Sequence, residues 1–265
     1  MTTISFAQVD AFADRPFTGN PAAVMPLDHW LDDAVLRAIA AENNLAETAF
    51  LVPTEGDADY ELRWFTPTVE VALCGHATLA CGHIILSADQ SRTDVRFRTR
   101  MHGVLQVRRT GGGYELDLPA LPPSPTNDLR SAGALNVKPA ATLFQDGGYF
   151  VVLLESEAEP RALEPDLRTL GDAVPGNFCH IVTAPGERTD FVSRMFAPNA
   201  GIDEDPVTGS AHAVLTPFWA DRLGRTELTA FQASARGGHV SCRLEQNRVV
   251  LGGRCVTVIE GQFRL

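Results

Sequence analysis

The stretch Arg63-Trp64-Phe65-Thr66-Pro67 decides the fold, because its pattern returns in the second half of the chain as Arg194-Met195-Phe196-Ala197-Pro198. Each copy of Arg-x-Phe-x-Pro is followed by a small-residue segment with the composition of a helix start. These segments are Leu73–Thr78 in the first half and Asp205–Ala211 in the second. A repeat spaced by about half the chain length predicts two similar domains.

A Gly-Asn pair precedes each copy, at Gly19-Asn20 and at Gly176-Asn177. If the two domains face each other, their helix N-termini meet across a cleft and form a site for an anion. The first candidates for chemistry are therefore the polar side chains at those helix starts: Cys74, His76, Asp205 and Ser210.

The composition is that of a soluble globular protein, with 265 residues, 45% hydrophobic and 21% charged. This length is enough for two domains with their own cores. The net charge of −11 argues against binding to nucleic acid or to an anionic membrane surface. It leaves a small anionic substrate open, because local donors can dominate the field inside a cleft.

Lys138 is the single lysine of the chain, and it stands directly before Pro139 in a connecting region. A pyridoxal phosphate enzyme needs a well-placed lysine and a P-loop needs Gly-Lys-Ser/Thr, so both are disfavoured. The chain also has no Gly-x-Gly-x-x-Gly after a strand. We therefore expect no cofactor.

Five widely spread cysteines are an odd number, which argues against a disulfide framework and favours a reducing compartment. Met1–Phe6 has neither the basic nor the apolar region of a signal peptide. The sequence contains no apolar run of about 18 residues. We expect a cytoplasmic protein that does not bind a membrane.

Strand and helix patterns predict the same α+β organisation in both halves. Each half has many short strands around one apolar helix, Gly75–Leu86 in the first and Gly209 to about Leu223 in the second. The second half is also expected to contain a helix around Leu163–Thr169 and a strand at Phe231–Ser234.

The four prolines of Leu118–Asp128 mark the best candidate for a linker. The predicted domains are residues 1–118, completed by the final strand at about 256–265, and residues 119–255. The Arg-x-Phe-x-Pro arginines, Arg63 and Arg194, are interpreted as structural anchors that repeat with the fold.

Glu47 heads a predicted strand directly after a helix, inside an otherwise apolar run. A carboxylate held against apolar surface suits a proton shuttle near neutral pH. The alternative is a solvated acid at a helix-to-strand turn, and spacing alone favours that alternative.

Cys74-Gly75-His76 at a helix start admits several roles. The thiol could carry a proton with a pKa lowered by the helix terminus, the imidazole could donate a proton, and Gly75 lets a ligand approach the backbone. A buried small residue, a turn glycine and a capping histidine explain the triplet equally well. The second triplet, Cys81-Gly82-His83, could be imagined as a metal site, but Cys81 is better explained as a core residue.

Asp203-Glu204-Asp205-Pro206 precedes Gly209-Ser210 in the second half. Acids before a helix often serve only as caps and neighbours of the helix dipole, which explains Asp203 and Glu204 well. Asp205, at the turn before Pro206, could instead face the cleft together with the Ser210 hydroxyl and the Gly209 N–H.

Several motifs together resemble the phenazine-biosynthesis PhzF-like isomerases. They cover nearly the whole chain in order: Val9-Asp10-Ala11-Phe12, Phe17-Thr18-Gly19-Asn20-Pro21-Ala22, Glu47-Thr48-Ala49-Phe50, Cys74-Gly75-His76-Ala77-Thr78 and Asp205-Pro206-Val207-Thr208-Gly209-Ser210-Ala211. The resemblance implies the diaminopimelate-epimerase-like fold, with two pseudo-symmetric domains, an active site between them, a homodimer and no cofactor or metal.

The resemblance also implies roles for single residues. Glu47 stands where the family has its acid/base for a proton shift along an enol or diene. His76 and Asp205 stand where supporting polar residues orient the substrate. The residues expected to hold the small, anionic substrate are Asn20, Cys74, Gly75, Gly209 and Ser210.

Two departures from the family pattern matter. Ala46 replaces the serine that often precedes the acid. The related cofactor-free racemases carry a cysteine in each half, and Cys74 matches the first, but Val207-Thr208 stands where the second would be. The sequence thus favours a PhzF-like isomerase. The alternatives are an amino-acid epimerase that uses Cys74 and a non-catalytic small-molecule binding protein.

Overall fold

The computed structural model describes residues 2–265, which divide into two compact units. The first runs up to Leu118 and also includes Gly252–Leu265, and the second is Pro119–Leu251. The first boundary lies at the start of the proline-rich segment, and the second falls ahead of residue 255. No helix among residues 2–265 is long and apolar enough to cross a membrane.

The first unit is a mixed sheet with two helices. Its elements are β1 (Thr3–Ala11), β2 (Asn20–Pro26), α1 (Asp33–Asn43), β3 (Glu47–Pro53), β4 (Tyr60–Phe65), β5 (Glu70–Val71), α2 (Gly75–Ala88), β6 (Asp94–Arg98), β7 (Val104–Thr110), β8 (Gly113–Pro119) and the last strand of the chain, β18 (Cys255–Arg264). β1 pairs antiparallel with both β2 and β18, and β2 runs parallel to β3. β4 pairs antiparallel with β3 and parallel with β6.

α2 lies inside this curled sheet, in contact with β1, β2, β3, β6, β7 and β18. It is apolar nearly all round, so burial rather than one hydrophobic stripe stabilises it. Gly82 allows the closest approach, because a Cβ there would lie 2.3 Å from a methyl group of Val107. Sequence and packing therefore agree that α2 is the central helix of the first unit.

The second unit repeats this plan around α6. Its elements are β9 (Ser124–Pro125), α3 (Arg130–Ala134), β10 (Ala141–Gln145), β11 (Tyr149–Leu153), α4 (Ala158–Ala162), α5 (Leu167–Ala173), β12 (Cys179–Pro185), β13 (Phe191–Ala197), a 3₁₀ turn (Pro198–Ala200), β14 (Ile202–Asp205), α6 (Gly209–Leu223), β15 (Glu227–Gln232), β16 (Gly238–Glu245) and β17 (Arg248–Gly253). β11 is parallel to β12, β12 antiparallel to β13, and β13 parallel to β15. The predicted α+β class is confirmed.

Two predictions in the second unit are wrong. The helix expected around Leu163–Thr169 begins only at Leu167, as α5, because Leu163 is extended and Pro165 disfavours helical conformation in the residue before it. The strand expected at Phe231–Ser234 lies earlier, as β15, and ends at Gln232.

The two repeated arginines are anchors in both units. Arg63 bonds both carboxylate oxygens of Glu70 at 2.8 Å and lies over the Phe65 ring. Arg194 bonds both carboxylate oxygens of Glu204 at 2.7 and 3.0 Å and lies over the Phe196 ring. Each arginine thus ties a strand to the segment that leads to the central helix.

The two Gly-Asn pairs are not equivalent. Asn20 opens β2, the first strand of the parallel pair β2–β3. Asn177 stands before β12, which is the second strand of the parallel pair β11–β12. The interpretation of these pairs as part of the repeat is therefore wrong.

Candidate functional site

Glu47 and His76 form a buried acid–imidazole pair in the first unit. Glu47 is the first residue of β3 and is 8% exposed, and His76 is the second residue of α2 and is 4% exposed. Glu47 Oε2 lies 3.1 Å from His76 Nε2. The two atoms are close, although their alignment falls short of a hydrogen bond. The distance already lies within hydrogen-bond range, so a rotation that aligns the ring with the carboxylate would complete the bond.

Two polar groups face the other nitrogen of the same ring. Asn20 Nδ2 lies 3.1 Å from His76 Nδ1, and Cys74 Sγ lies 3.5 Å from it. Cys74 is the N-cap of α2, and Gly75 is the first residue of that helix. The first unit therefore brings five of the eight predicted site residues to one place.

Burial sets the charge of the Cys74 thiol. Burial, and secondly the carboxylate of Glu47, raise the pKa of Cys74 to about 11. The expected lowering by the helix terminus is therefore wrong, because loss of water outweighs the helix dipole. Cys74 is a neutral thiol near pH 7.

Burial acts to lower the pKa of His76, but Cys74 and Glu47 act against it and the pKa lies above its ordinary value. The Cys74 contribution requires a thiolate, which a neutral thiol does not supply. Glu47 is therefore the partner that raises the pKa of His76 near neutral pH.

Glu47, Cys74 and His76 also offer oxygen, sulfur and nitrogen atoms within 4.8 Å of one another, a donor set that suits zinc. However, Sγ approaches Nδ1 of the ring and the carboxylate approaches Nε2, on opposite sides. One ion binds one ring nitrogen, so a single metal would need the side chains to turn. The expectation of no metal stays a prediction.

In the second unit, Asp205 ends β14 and is 7% exposed. Its carboxylate accepts a hydrogen bond from the Thr208 hydroxyl. Gln232 fixes this turn, since its amide donates to the Asp205 carbonyl at 2.7 Å and accepts from the Thr208 N–H at 2.8 Å. Sequence reasoning missed Gln232, which lies on β15, far from the turn in sequence.

Gly209 and Ser210 are the first two residues of α6. Burial raises the pKa of Tyr149, and the nearby Ser210 side chain acts against this rise. Tyr149 pairs in register with Cys179. Burial, and secondly Asp205, raise the pKa of Cys179 to about 11. Tyr149 and Cys179 were also missed, because parallel strand pairing leaves no local signal in a sequence.

The second Cys-Gly-His triplet is structural. Cys81 is fully buried, and its pKa is raised by burial. His83 uses both ring nitrogens, since Nδ1 lies 3.1 Å from the Tyr114 hydroxyl and Nε2 lies 2.9 Å from the Thr257 hydroxyl. The interpretation of Cys81 as a core residue is supported, and His83 faces other polar partners.

The predicted site residues thus fall into two groups. The first unit holds Asn20, Glu47, Cys74, Gly75 and His76, and the second holds Asp205, Gly209 and Ser210. Their catalytic and binding roles stay predictions.

Comparison with known proteins places this chain in a family. The phenazine biosynthesis-like protein family matches residues 9–261. An uncharacterized isomerase from Pseudomonas aeruginosa is 49% identical, with 99% of each chain covered. A phenazine biosynthesis-like domain-containing protein from Homo sapiens is 38% identical over 95% of this chain and 96% of its own.

The fold is shared with solved structures. A PhzF-family protein from Enterococcus faecalis has a TM-score of 0.92 and 41% identity, with 100% of both chains covered. A hydroxyproline epimerase from Agrobacterium vitis has a TM-score of 0.64 at 11% identity over 98% of this chain and 92% of its own, a likeness of fold alone. The diaminopimelate-epimerase-like fold is confirmed, and the chain belongs to the phenazine biosynthesis-like protein family.

Proposed function

We propose that this protein is a cofactor-independent isomerase that removes a proton from a small carboxylate-bearing substrate and returns it at another position. The observation that carries the proposal is the buried contact of 3.1 Å between Glu47 and His76 at the start of α2. Relatives that are 49% identical bear the name isomerase, which supports the same class of reaction.

The proposed chemistry follows from Glu47, His76 and the N-terminus of α2. Glu47 acts as the base that takes the proton and then gives it back as an acid. His76, in contact with the carboxylate, holds it in place and polarises it. The N-terminus of α2, open at Gly75, supplies positive potential for the anionic end of the substrate. The proposed role of Asp205 and Ser210 as orienting groups rests on the family resemblance alone.

The substrate must bring its own acidic C–H bond. Without a metal or pyridoxal electron sink, only a vinylogous or enol system lets a carboxylate base work at a useful rate. We therefore propose small cyclic enol acids and dihydroaromatic acids as the substrate class. A cytoplasmic homodimer is part of the same proposal, and light scattering during size-exclusion chromatography tests the oligomeric state.

The test is solvent deuterium incorporation, followed by NMR, with wild type, Glu47→Gln and the matched control Glu42→Gln. Glu42 is an exposed glutamate on α1. The panel contains enol acids, dihydroaromatic acids and amino acids. Incorporation by wild type and Glu42→Gln, with none by Glu47→Gln, is the expected result. Incorporation that survives Glu47→Gln, or none with any compound, would sink the proposal.

An amino-acid epimerase that uses Cys74 is the second candidate. The observation that favours it is the 3.5 Å contact between Cys74 Sγ and His76 Nδ1, which gives the thiol a proton acceptor. This candidate predicts that Cys74→Ala abolishes exchange of an amino-acid α-proton while Glu47→Gln keeps it. The reverse pattern excludes it.

A further inference from the structure

Asn20 is held against His76 by the turn before β2. Gly19 has a φ of 65°, and a Cβ at this position would lie 2.1 Å from the carbonyl oxygen of Ala11, so the turn requires glycine. Asn20 then pairs with Ala11, and its side chain is fully buried. The sequence predicted that Asn20 binds substrate, whereas the structure gives its amide a partner inside the protein.

Two donors face Nδ1 of His76. Asn20 Nδ2 lies 3.1 Å away and Cys74 Sγ lies 3.5 Å away. An amide nitrogen carries only donor hydrogens, and a neutral thiol can also donate. Nδ1 therefore acts as the acceptor, and the proton of a neutral ring lies on Nε2.

We propose that Asn20 is a positioning residue that sets the tautomer of the neutral His76 ring, with its proton on Nε2. In this form the ring presents its N–H on the side of the Glu47 carboxylate, 3.1 Å away. The carboxylate then has a neutral donor beside it and stays available as a base.

The same contact opposes a charged ring. If Nδ1 also carried a proton, two N–H groups would face each other across 3.1 Å in a buried site, where neither reaches water. Glu47 favours the imidazolium, and Asn20 disfavours it. The two neighbours of His76 thus act in opposite directions on its charge, and Asn20 selects the nitrogen that stays unprotonated when the ring is neutral.

The tautomer is a property of the free protein and needs no substrate. Only its catalytic consequence rests on the proposed isomerase function. A tautomer found as expected in a protein without detectable exchange would leave this inference standing and overturn the function alone.

The test is nitrogen-15 NMR of the imidazole rings, in protein labelled at its histidines, as the pH is raised until His76 becomes neutral. The signals of His76 are assigned by their loss in His76→Gln. Wild type is expected to show an unprotonated Nδ1 and a protonated Nε2. Asn20→Asp, whose carboxylate only accepts, is expected to move a proton onto Nδ1, whereas the control Asn177→Asp, at an exposed position of the second unit, leaves His76 unchanged.

A neutral wild-type His76 ring with its proton on Nδ1 would overturn the inference. So would an Asn20→Asp spectrum identical to that of wild type. If Asn20→Asp does not fold, the wild-type spectrum and that of Asn20→Ser still test the inference. A serine hydroxyl can accept a hydrogen bond, so Nδ1 no longer has to be the acceptor. With an exchanging substrate in hand, Asn20→Asp is expected to slow exchange by about 100-fold or more.

Discussion

The start of β3 in the first unit and the start of β12 in the second occupy the same place in the repeated fold. Thr48 on β3 pairs with the motif phenylalanine Phe65, and His180 on β12 pairs with its counterpart Phe196. One residue earlier, Glu47 stands in the first unit and Cys179 in the second. Both are paired with a parallel neighbour, β2 or β11.

The helix starts correspond as well, but their chemistry differs. His76 and Ser210 are each the second residue of the central helix. The first unit therefore sets a carboxylate beside an imidazole, whereas the second sets a neutral thiol beside Tyr149. The two units thus share a backbone plan, and the carboxylate–imidazole pair lies in the first.

The largest expected effect comes from substitutions at the two equivalent positions, Glu47 and Cys179. Glu47→Gln should lower the rate of deuterium exchange by about 10²- to 10⁴-fold, because an amide cannot act as a base. Cys179→Ser, at the matching position of the second unit, should change the rate by less than about tenfold, since a hydroxyl replaces a neutral thiol. Exchange rates from NMR measure both. Equal losses in the two variants would contradict the asymmetry.

The two anchor arginines, Arg63 and Arg194, should have similar effects on stability, whereas Glu47 and Cys179 should differ in their effects on exchange. Arg63→Met leaves Glu70 without its main partner, and Arg194→Met does the same to Glu204, so each should lower the free energy of unfolding by about 3 kcal/mol. Urea unfolding followed by circular dichroism measures the change. Arg168→Met, at a side chain that is 92% exposed, is the control and should have little effect. Wild-type stability in either anchor variant would show that the motif is not an anchor.

The elements that the sequence predicted well are those with a strong local pattern. α2 and α6 were predicted from their apolar runs, and Glu47 was placed at a strand start. The break between α4 and α5 was missed because the apolar spacing continues across Pro165 as it would in one helix. Local pattern thus located the central helices but not this interruption.

Contacts made through parallel strands could not be predicted. Tyr149 meets Cys179 only because β11 and β12 run side by side, and Gln232 reaches Asp205 from a distant strand. The contact between Asn20 and His76 was not predicted either, and the substrate-binding role of Asn20 stays a prediction. The sequence named the polar residues of the site, but the partner of each side chain is a tertiary fact.

A smaller effect, on stability, is expected from a substitution at Gly82 and compares the packing of α2 with that of α6. The position of Gly82 in α2, seven residues after Gly75, is occupied in α6 by Thr216, whose hydroxyl donates to the His212 carbonyl. Gly82→Ala would place a methyl group 2.3 Å from the Val107 side chain, a clash that costs about 1–3 kcal/mol. The gain in helix propensity offsets up to about 1 kcal/mol of this cost.

The net loss should therefore be about 1–2 kcal/mol in urea unfolding, with Gly133→Ala as the control. A Cβ at Gly133, in the short helix α3, meets open space. A Gly82→Ala variant more stable than wild type would show that β7 yields to the helix. In that case the first unit tolerates a larger residue at this position, as the second already does.

The last comparison concerns the two thiols Cys74 and Cys179. Burial raises the pKa of each to about 11, from an ordinary value of 9.0, so thiolate is scarce at pH 8 and increases as the pH rises towards 11. Alkylation needs the thiolate, so both should react about 100-fold more slowly than an unperturbed cysteine below pH 9. The rates should climb about tenfold per pH unit over this range.

Iodoacetamide labelling between pH 7 and 9.5, with peptide mass spectrometry, separates the two sites. Cys179 should label before Cys74 at every pH, because Cys179 is partly exposed and Cys74 is only 6% exposed. Cys74→Ala and Cys179→Ala confirm the assignment of each rate. Fast labelling of Cys74 at pH 7 would mean that its thiolate forms readily beside His76. That outcome would move the proton-transferring role in the first unit from Glu47 towards the thiol and favour the epimerase.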